Sequence, residues 1–226
     1  MKLALYLDFD LSMPTGVGRY GIELVRALSA SGEPPEVWLD SSQKRGWDAL
    51  GLRSRAVRTC SPPMKLTHRA MPRLWSGRSR LEIVHFPGSH LLPVAKGVRR
   101  AVLIHDLGPF RFPEMKSGPD TASWQSRIKL AVTGADCVLA NSRSTMEDLL
   151  EHFPAARPKT FLTILGVDHL LDAPWPECAP RSNGHILAVG IVEPRKNLDN
   201  LFKAYAILYG RDEGLPPLVI AGHDGY

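Results

Sequence analysis

Short apolar runs alternate with helical patterns along most of this chain, and that alternation leaves few folds open. LALYL (3–7), EVWL (36–39), EIVHF (82–86), AVLIH (101–105), CVLA (137–140) and TFLTIL (160–165) have the length and residue types of strands. Helical patterns lie between several of them. Residues 18–31 set Ile22, Val25, Ala27 and Leu28 on one face. Residues 144–153 do the same with Met146, Leu149, Leu150 and Phe153, and Ser144 with Glu147 reads as a capping box. Six strands interleaved with helices predict an α/β domain over 1–165, with a doubly wound, largely parallel sheet.

Residues 166–185 break the rhythm. Pro174, Pro176 and Pro180, followed by Ser182-Asn183-Gly184, read as a linker. A new unit begins after it: a strand at 186–189, a helix at 197–209 with Leu198, Leu201, Phe202, Tyr205 and Leu208 on one face, and a strand at 218–221. ILAV and LVIA are wholly apolar, as strands covered on both faces are. One helix covers only one face, and a two-stranded sheet is marginal alone. Residues 186–226 therefore read as the first βαβ unit of an incomplete second domain rather than an extension of the first sheet.

Composition sets outer bounds. A chain of 226 residues suits one large domain or one domain and part of another. Its 44% hydrophobic and 23% charged residues are those of a soluble globular protein, and no apolar run approaches the ~20 residues that cross a bilayer. MKLALYLDFD meets acids by Asp8 and reads as a first strand, not a signal peptide. Cys60, Cys137 and Cys178 are odd in number and lack metal-site spacing, which favours a reduced, cytoplasmic setting. A net charge of +5 suits nucleic acid, membrane phosphate or a phosphorylated small molecule.

Five stretches could carry chemistry. In PTGVGRYG, Gly16, Gly18 and Gly21 fit G-x-G-x-x-G, with Asp40 ending the next strand. In the NAD fingerprint the first glycine follows directly on the strand, whereas here DFDLSMPT intervenes. The loop still offers bare N–H groups at a helix N-terminus with Arg19 beside them, which suits an anion, or else simply permits a tight turn. Asp8 and Asp10 could hold a divalent metal, but no third ligand stands near, and capping of the loop is the plainer reading. His105-Asp106 follows a strand, where open α/β sheets bind ligands. His85 and His90 lie near a neighbouring strand end, and backbone carbonyls could instead satisfy any of these histidines.

MKLTHRAMPRLWSGRSR, residues 64–80, has five basic residues and no acid. It reads either as an amphipathic surface for anionic lipid or as a solvated helix face interrupted by Pro72. Nucleic acid is disfavoured, because aromatics are not interleaved as stacking would require. Finally, in ILAVGIVEPRKN an apolar run stops at Gly190 and Arg195 and Lys196 precede a helix, the pattern of a strand, an anion-binding turn and a helix. No G-x-S-x-G nucleophile elbow occurs.

The order G-V-G-R-Y, I-H-D-L with F-P-E, A-N-S-R-S, L-G-V-D and V-G-x-x-E-P-R-K-N resembles the GT-B glycosyltransferases of family 4 that build bacterial surface polysaccharides, mannosyl transfer being common among them. The resemblance covers nearly the whole chain. It implies two Rossmann-like domains, the first on the acceptor side and the second holding a nucleotide-diphosphate sugar. It implies transfer with retention of anomeric configuration, no bound metal and no separate cofactor. The acceptor would be a glycan or a lipid-linked glycan, met in the cytoplasm or at the inner membrane face. By resemblance, Gly16 and Gly18 would lie against the donor diphosphate or the acceptor, with Arg19 and Tyr20 on the acceptor side. His105, with Asp106, would act at the transferred sugar, and Arg195 and Lys196 would neutralise the diphosphate leaving group.

Two departures stand out. Ile191 follows Gly190 where many members carry arginine, and the paired glutamates that grip the donor would fall beyond position 226. The chain alone is therefore expected not to turn over. A non-catalytic glycan- or partner-binding module is the other reading.

Overall fold

The computed structural model describes residues 1–60, 67–113, 121–167, 184–211 and 214–222. The chain divides into two compact units, Met1–Leu107 with Gln125–His169, and Gly108–Trp124 with Leu170–Tyr226. Most of the expected 166–185 linker lies outside the described residues.

The first unit is built on seven parallel strands: β1 (Leu3–Leu7), β2 (Glu36–Asp40), β3 (Ala56–Cys60), β4 (Ile83–Phe86), β5 (Arg99–Ile104), β6 (Cys137–Ala140) and β7 (Thr160–Leu162). Their spatial order is β3-β2-β1-β4-β5-β6-β7. The chain winds outward from β1 in one direction and then from β4 in the other. A crevice therefore opens at the carboxyl ends of β1 and β4, where connections diverge. The sheet has one strand more than the sequence runs suggest. β3, AVRTC, escapes the pattern because it is an edge strand, partly exposed, and carries Arg58 and Thr59 where a central strand would carry aliphatics. β7 is shorter than TFLTIL, and Ile164 beyond it is exposed.

Strand parity divides the core. Leu5, Leu7, Val37 and Leu39 point to the face covered by α1 (Gly16–Ala30), whose Ile22 and Val25 are buried against them, and by Trp47 of α2 (Lys44–Ala49). Ala27, expected on that face, is exposed; it stands two residues from Val25, about 200° around the helix, and buried Gly18 and Gly21 take the place. On the opposite face Trp38 meets Trp75 of α3 (Thr67–Arg78) edge to face at 5.6 Å. Trp75 is thus a core residue and not part of a lipid-facing surface, while Arg73 and Arg78 are exposed.

A buried carboxylate at the amino end of β2 ties it to β3 and to the carboxyl end of α3. Glu36 accepts from Trp38 Nε1 at 2.8 Å, Ser79 Oγ at 2.7 Å and Arg58 Nε at 3.2 Å. Each oxygen lost from water is thereby replaced by a donor. Further along, α5 (Thr121–Gly134) buries Ile128, Ala131 and Val132, and α6 (Arg143–His152) buries Thr145 and Leu149. The cap of α6 is Ser142, which accepts from Thr145 N at 3.1 Å, and not Ser144, which is exposed.

In the second unit, besides the short α4 (Gly108–Arg111), β8 (Ile186–Val189) pairs in parallel with β9 (Leu218–Ala221), and α7 (Leu198–Tyr209) connects them. Leu198, Leu201 and Tyr205 are partly covered, whereas Phe202 and Leu208 of the expected face are exposed. Leu187 and Val189 are exposed too, at 52% and 72%.

Candidate functional site

The crevice of the first unit is lined by histidines that register alone brings together. His85 pairs with Leu5 and with Ala101, and Ala101 pairs with Cys137. Counting in twos along each strand puts His85, His105 and Asn141 on the α1 face of the sheet. Tyr20, one turn into α1, sits edge-on to His85 at 5.8 Å and to His105 at 6.0 Å.

Each ring is held by specific bonds. His85 is buried, and burial drives its pKa down to about 4, so it is neutral. A hydrogen bond to the backbone of Ala101 uses one nitrogen as donor, which leaves Nε2 to accept from the Tyr20 hydroxyl at 3.0 Å. Burial pushes the Tyr20 phenol up to about 12, so it keeps that proton. His105 Nε2 donates to the Pro87 carbonyl at 2.7 Å. Its Nδ1 is then left to receive the long 3.5 Å approach of Asn141 Nδ2. Thr145 Oγ1 donates to the His105 carbonyl at 3.0 Å, so the N-terminus of α6 fixes the backbone as well.

The residues expected to serve a site separate into those exposed to a ligand and those that brace it. Gly16 opens α1, exposed, with nothing within 4 Å of where a Cβ would stand. Gly18 is buried; a Cβ there would meet Pro14 Cβ at 2.9 Å and Phe9 Cδ2 at 3.0 Å. A Cβ on Gly21 would meet Phe9 Cζ at 2.7 Å. These two glycines thus admit Phe9, from the segment DFDLSMPT that sets this loop apart from a dinucleotide fingerprint. The first turn of α1 has no acidic residue and no side-chain cap, and exposed Arg19 stands in it, 3.6 Å from Glu23. Such a terminus favours negative charge. Tyr20 is a brace inside the crevice wall, and Asp106 is exposed beside His105.

The acids after β1 have assigned partners. Asp10 caps its own loop, accepting from Ser12 N at 2.8 Å and Ser12 Oγ at 2.6 Å, which lowers its pKa. Asp8 pairs with His90, whose ring lies edge-on to Tyr6 at 6.3 Å. Among the described residues no cluster of three or more His, Cys, Asp or Glu side chains is arranged to hold a metal.

Arg195 and Lys196 lie in the second unit, in a 3-10 turn Pro194–Lys196 at the carboxyl end of β8; the Arg195 side chain is outside what is described. Lys196 folds back over Gly190, whose φ is +146°, with Cε 3.3 Å from where a Cβ would be. A Cβ on Gly222 would fall 1.8 Å from the Gly190 carbonyl oxygen, so the two strand ends approach this closely only with glycine at 222, while the positive φ at 190 favours glycine there. Asn197, left-handed at φ +54°, turns the chain into α7. The sequence reading passed over Asn141, Ser142 and Thr145, although A-N-S-R-S directly follows an apolar strand, where a helix cap and a ligand edge coincide.

Comparison with known proteins bears on the family and the fold. The chain is 25% identical over 242 aligned residues to O-antigen chain mannosyltransferase B of Escherichia coli, covering 94% of this chain and 61% of that protein. Anabaena HepE, solved in complex with UDP-glucose, superposes with a TM-score of 0.56 at 16% identity over 100% of this chain and 62% of that one. The same protein with UDP and glucose gives 0.55 at 17% identity, over 97% and 60%. The chain thus spans about three-fifths of the length of these proteins. The Glycosyltransferase Family 4 profile matches residues 14–169, more than half of the chain and all but β1 of the parallel sheet. The chain belongs to glycosyltransferase family 4 and has the α/β architecture of its GT-B members.

Proposed function

We propose that this chain serves a retaining hexosyltransferase, with mannose the favoured sugar, that moves the sugar from a nucleotide-diphosphate donor to a glycan or lipid-linked acceptor during surface polysaccharide synthesis. The observation that carries the reading is the crevice where His85, His105 and Asn141 share one sheet face beside the uncapped terminus of α1. The preference for mannose leans on the name of the E. coli relative, and the nucleotide sugar on the UDP-glucose found with Anabaena HepE.

In this mechanism the first unit receives the acceptor between the loops after β1 and β4. His105 and Asp106 meet the transferred sugar, with the Pro87 carbonyl and Asn141 holding His105 in one tautomer and Tyr20 packed edge-on against its ring. Exposed Gly16 and the first turn of α1, which buried Gly18 seats on Phe9, face negative charge, and Arg19 lies on the acceptor side. Arg195 and Lys196 neutralise the diphosphate as it departs, when its charge rises most. No metal is required, because those cations do the work a divalent ion would do. The setting is cytoplasmic, with peripheral contact to an anionic membrane through residues 64–80. It leans on the cysteine usage, an odd number without metal-site spacing.

The test is made in the protein as its source cell produces it. Lys196→Ala is expected to lower transfer by about 100-fold, the scale of losing one charge-stabilising donor, with an unchanged thermal midpoint. His105→Ala is expected to lower transfer as well. Full activity in both variants would reject these roles.

A further inference from the structure

The opposite edge of the first unit's sheet holds a second concentration of charge. The loop between β4 and β5 reads LPVAKGVRR and delivers Lys96, Arg99 and Arg100 to the amino end of β5. Arg73 of α3 faces them across a cavity of about 350 Å³, and Asp136 completes its charged lining. At roughly 3.3 Å per residue, Arg99 lies about 20 Å along the strand from His105, so this hollow is separate from the crevice.

The hollow is built rather than incidental. Ala95 N donates to the buried Ser76 Oγ at 2.8 Å, and that hydroxyl donates to the Pro72 carbonyl at 2.7 Å, which pins the loop to α3. A turn closed by Val98 N to Ala95 O at 3.2 Å, with Gly97 at φ +86°, then brings Lys96 and Arg99 to the same side. Asp136 is engaged by Arg100, whose N and Nε lie 2.8 and 3.4 Å from Oδ2. Among the described residues Arg73, Lys96 and Arg99 form no ion pair, so four cations surround one carboxylate. Gathering like charge around a hollow costs energy that an anion removes.

We propose that this cavity binds a phosphate ester. Guanidinium forks suit phosphate oxygens. Val94 and Val98 supply an apolar wall for an organic body, and the volume falls at the lower end of the ~300–1,000 Å³ usual for small-molecule sites. The ester can come from a soluble metabolite or from a phospholipid headgroup, and the experiment separates them. The 15N-labelled chain is titrated with glycerol phosphate, and separately sedimented with phosphatidylglycerol vesicles against phosphatidylcholine vesicles. Both are repeated with Lys96→Gln/Arg99→Gln and, on a different element, with Arg73→Gln.

Saturable shifts of the Gly97 and Val98 amides that weaken at least tenfold in the double variant are expected, and they fade as salt rises. If glycerol phosphate alone binds, the ligand is a soluble ester. Binding to phosphatidylglycerol vesicles that the double variant loses, with or without glycerol phosphate binding, identifies a headgroup. Absence of both, or binding that survives in the double variant and in Arg73→Gln, overturns the proposal.

Discussion

At the residue scale, two side chains in the crevice wall carry consequences that can be read in isolation. His85 has a folded-state pKa of about 4, below its ordinary value, because burial penalises the charged ring. Above pH 6.5 both folded and unfolded states hold it neutral and it contributes no pH dependence. As pH falls from 6.5 toward 4 the unfolded chain takes the proton first, so stability is lost, by about 3 kcal/mol in full. His85→Gln keeps a neutral polar side chain, and urea unfolding across that window is expected to show a shallower decline than in the unsubstituted chain. An equal slope would mean that His85 is charged in the folded state. Gly21 makes the second case. Alanine there gains about 1 kcal/mol of helix propensity but meets Phe9 Cζ at 2.7 Å, and overpacking costs about 1–3 kcal/mol. A net loss is expected for Gly21→Ala alone, measured as a lower urea midpoint, and a smaller added loss when the same change is made on Phe9→Leu, where only Leu7 Cδ2 at 3.1 Å still crowds the methyl.

At the element scale, caps and edges explain both what holds the fold and what the sequence conceals. Ser142→Ala removes the hydrogen bond to Thr145 N and is expected to cost about 1 kcal/mol. Ser144→Ala, at an exposed position, should change stability by less than about 0.5 kcal/mol. Denaturation midpoints for the two variants decide which serine caps the helix. The sequence favours the wrong one, because S-x-x-E matches Ser144 and Glu147 while the hydroxyl that bonds is two residues earlier. β1, β2, β4, β5 and β6 were legible since both faces of a parallel strand are covered and the run stays apolar. β3 was not, since half of an edge strand faces water. Nor could periodicity reveal Glu36, a charged residue inside a strand whose partners Ser79 and Arg58 come from other elements. Glu36→Ala leaves the buried Trp38 Nε1 without an acceptor while the half-exposed Arg58 turns to water, and a loss of about 1–3 kcal/mol is expected in urea unfolding.

At the scale of the whole molecule, the order of strands matters more than any single motif. β4 lies beside β1 rather than beyond β3, and that reversal creates the crevice. His105 was legible because it follows an apolar run. Its bond to the Pro87 carbonyl, and the bracing role of Tyr20, required the register of three strands and so were beyond a linear reading. Gly18 illustrates the same limit: its motif suggests phosphate, while its immediate neighbours are Phe9 and Pro14. The central claim is chemical, and one measurement addresses it. The protein made by its source cell is incubated with GDP-mannose or UDP-glucose and its own lipid-linked glycans, and the anomeric configuration of the product is read by NMR. The account expects a new glycosidic bond with the configuration of the donor; intact donor after prolonged incubation, or an inverted linkage, would contradict it.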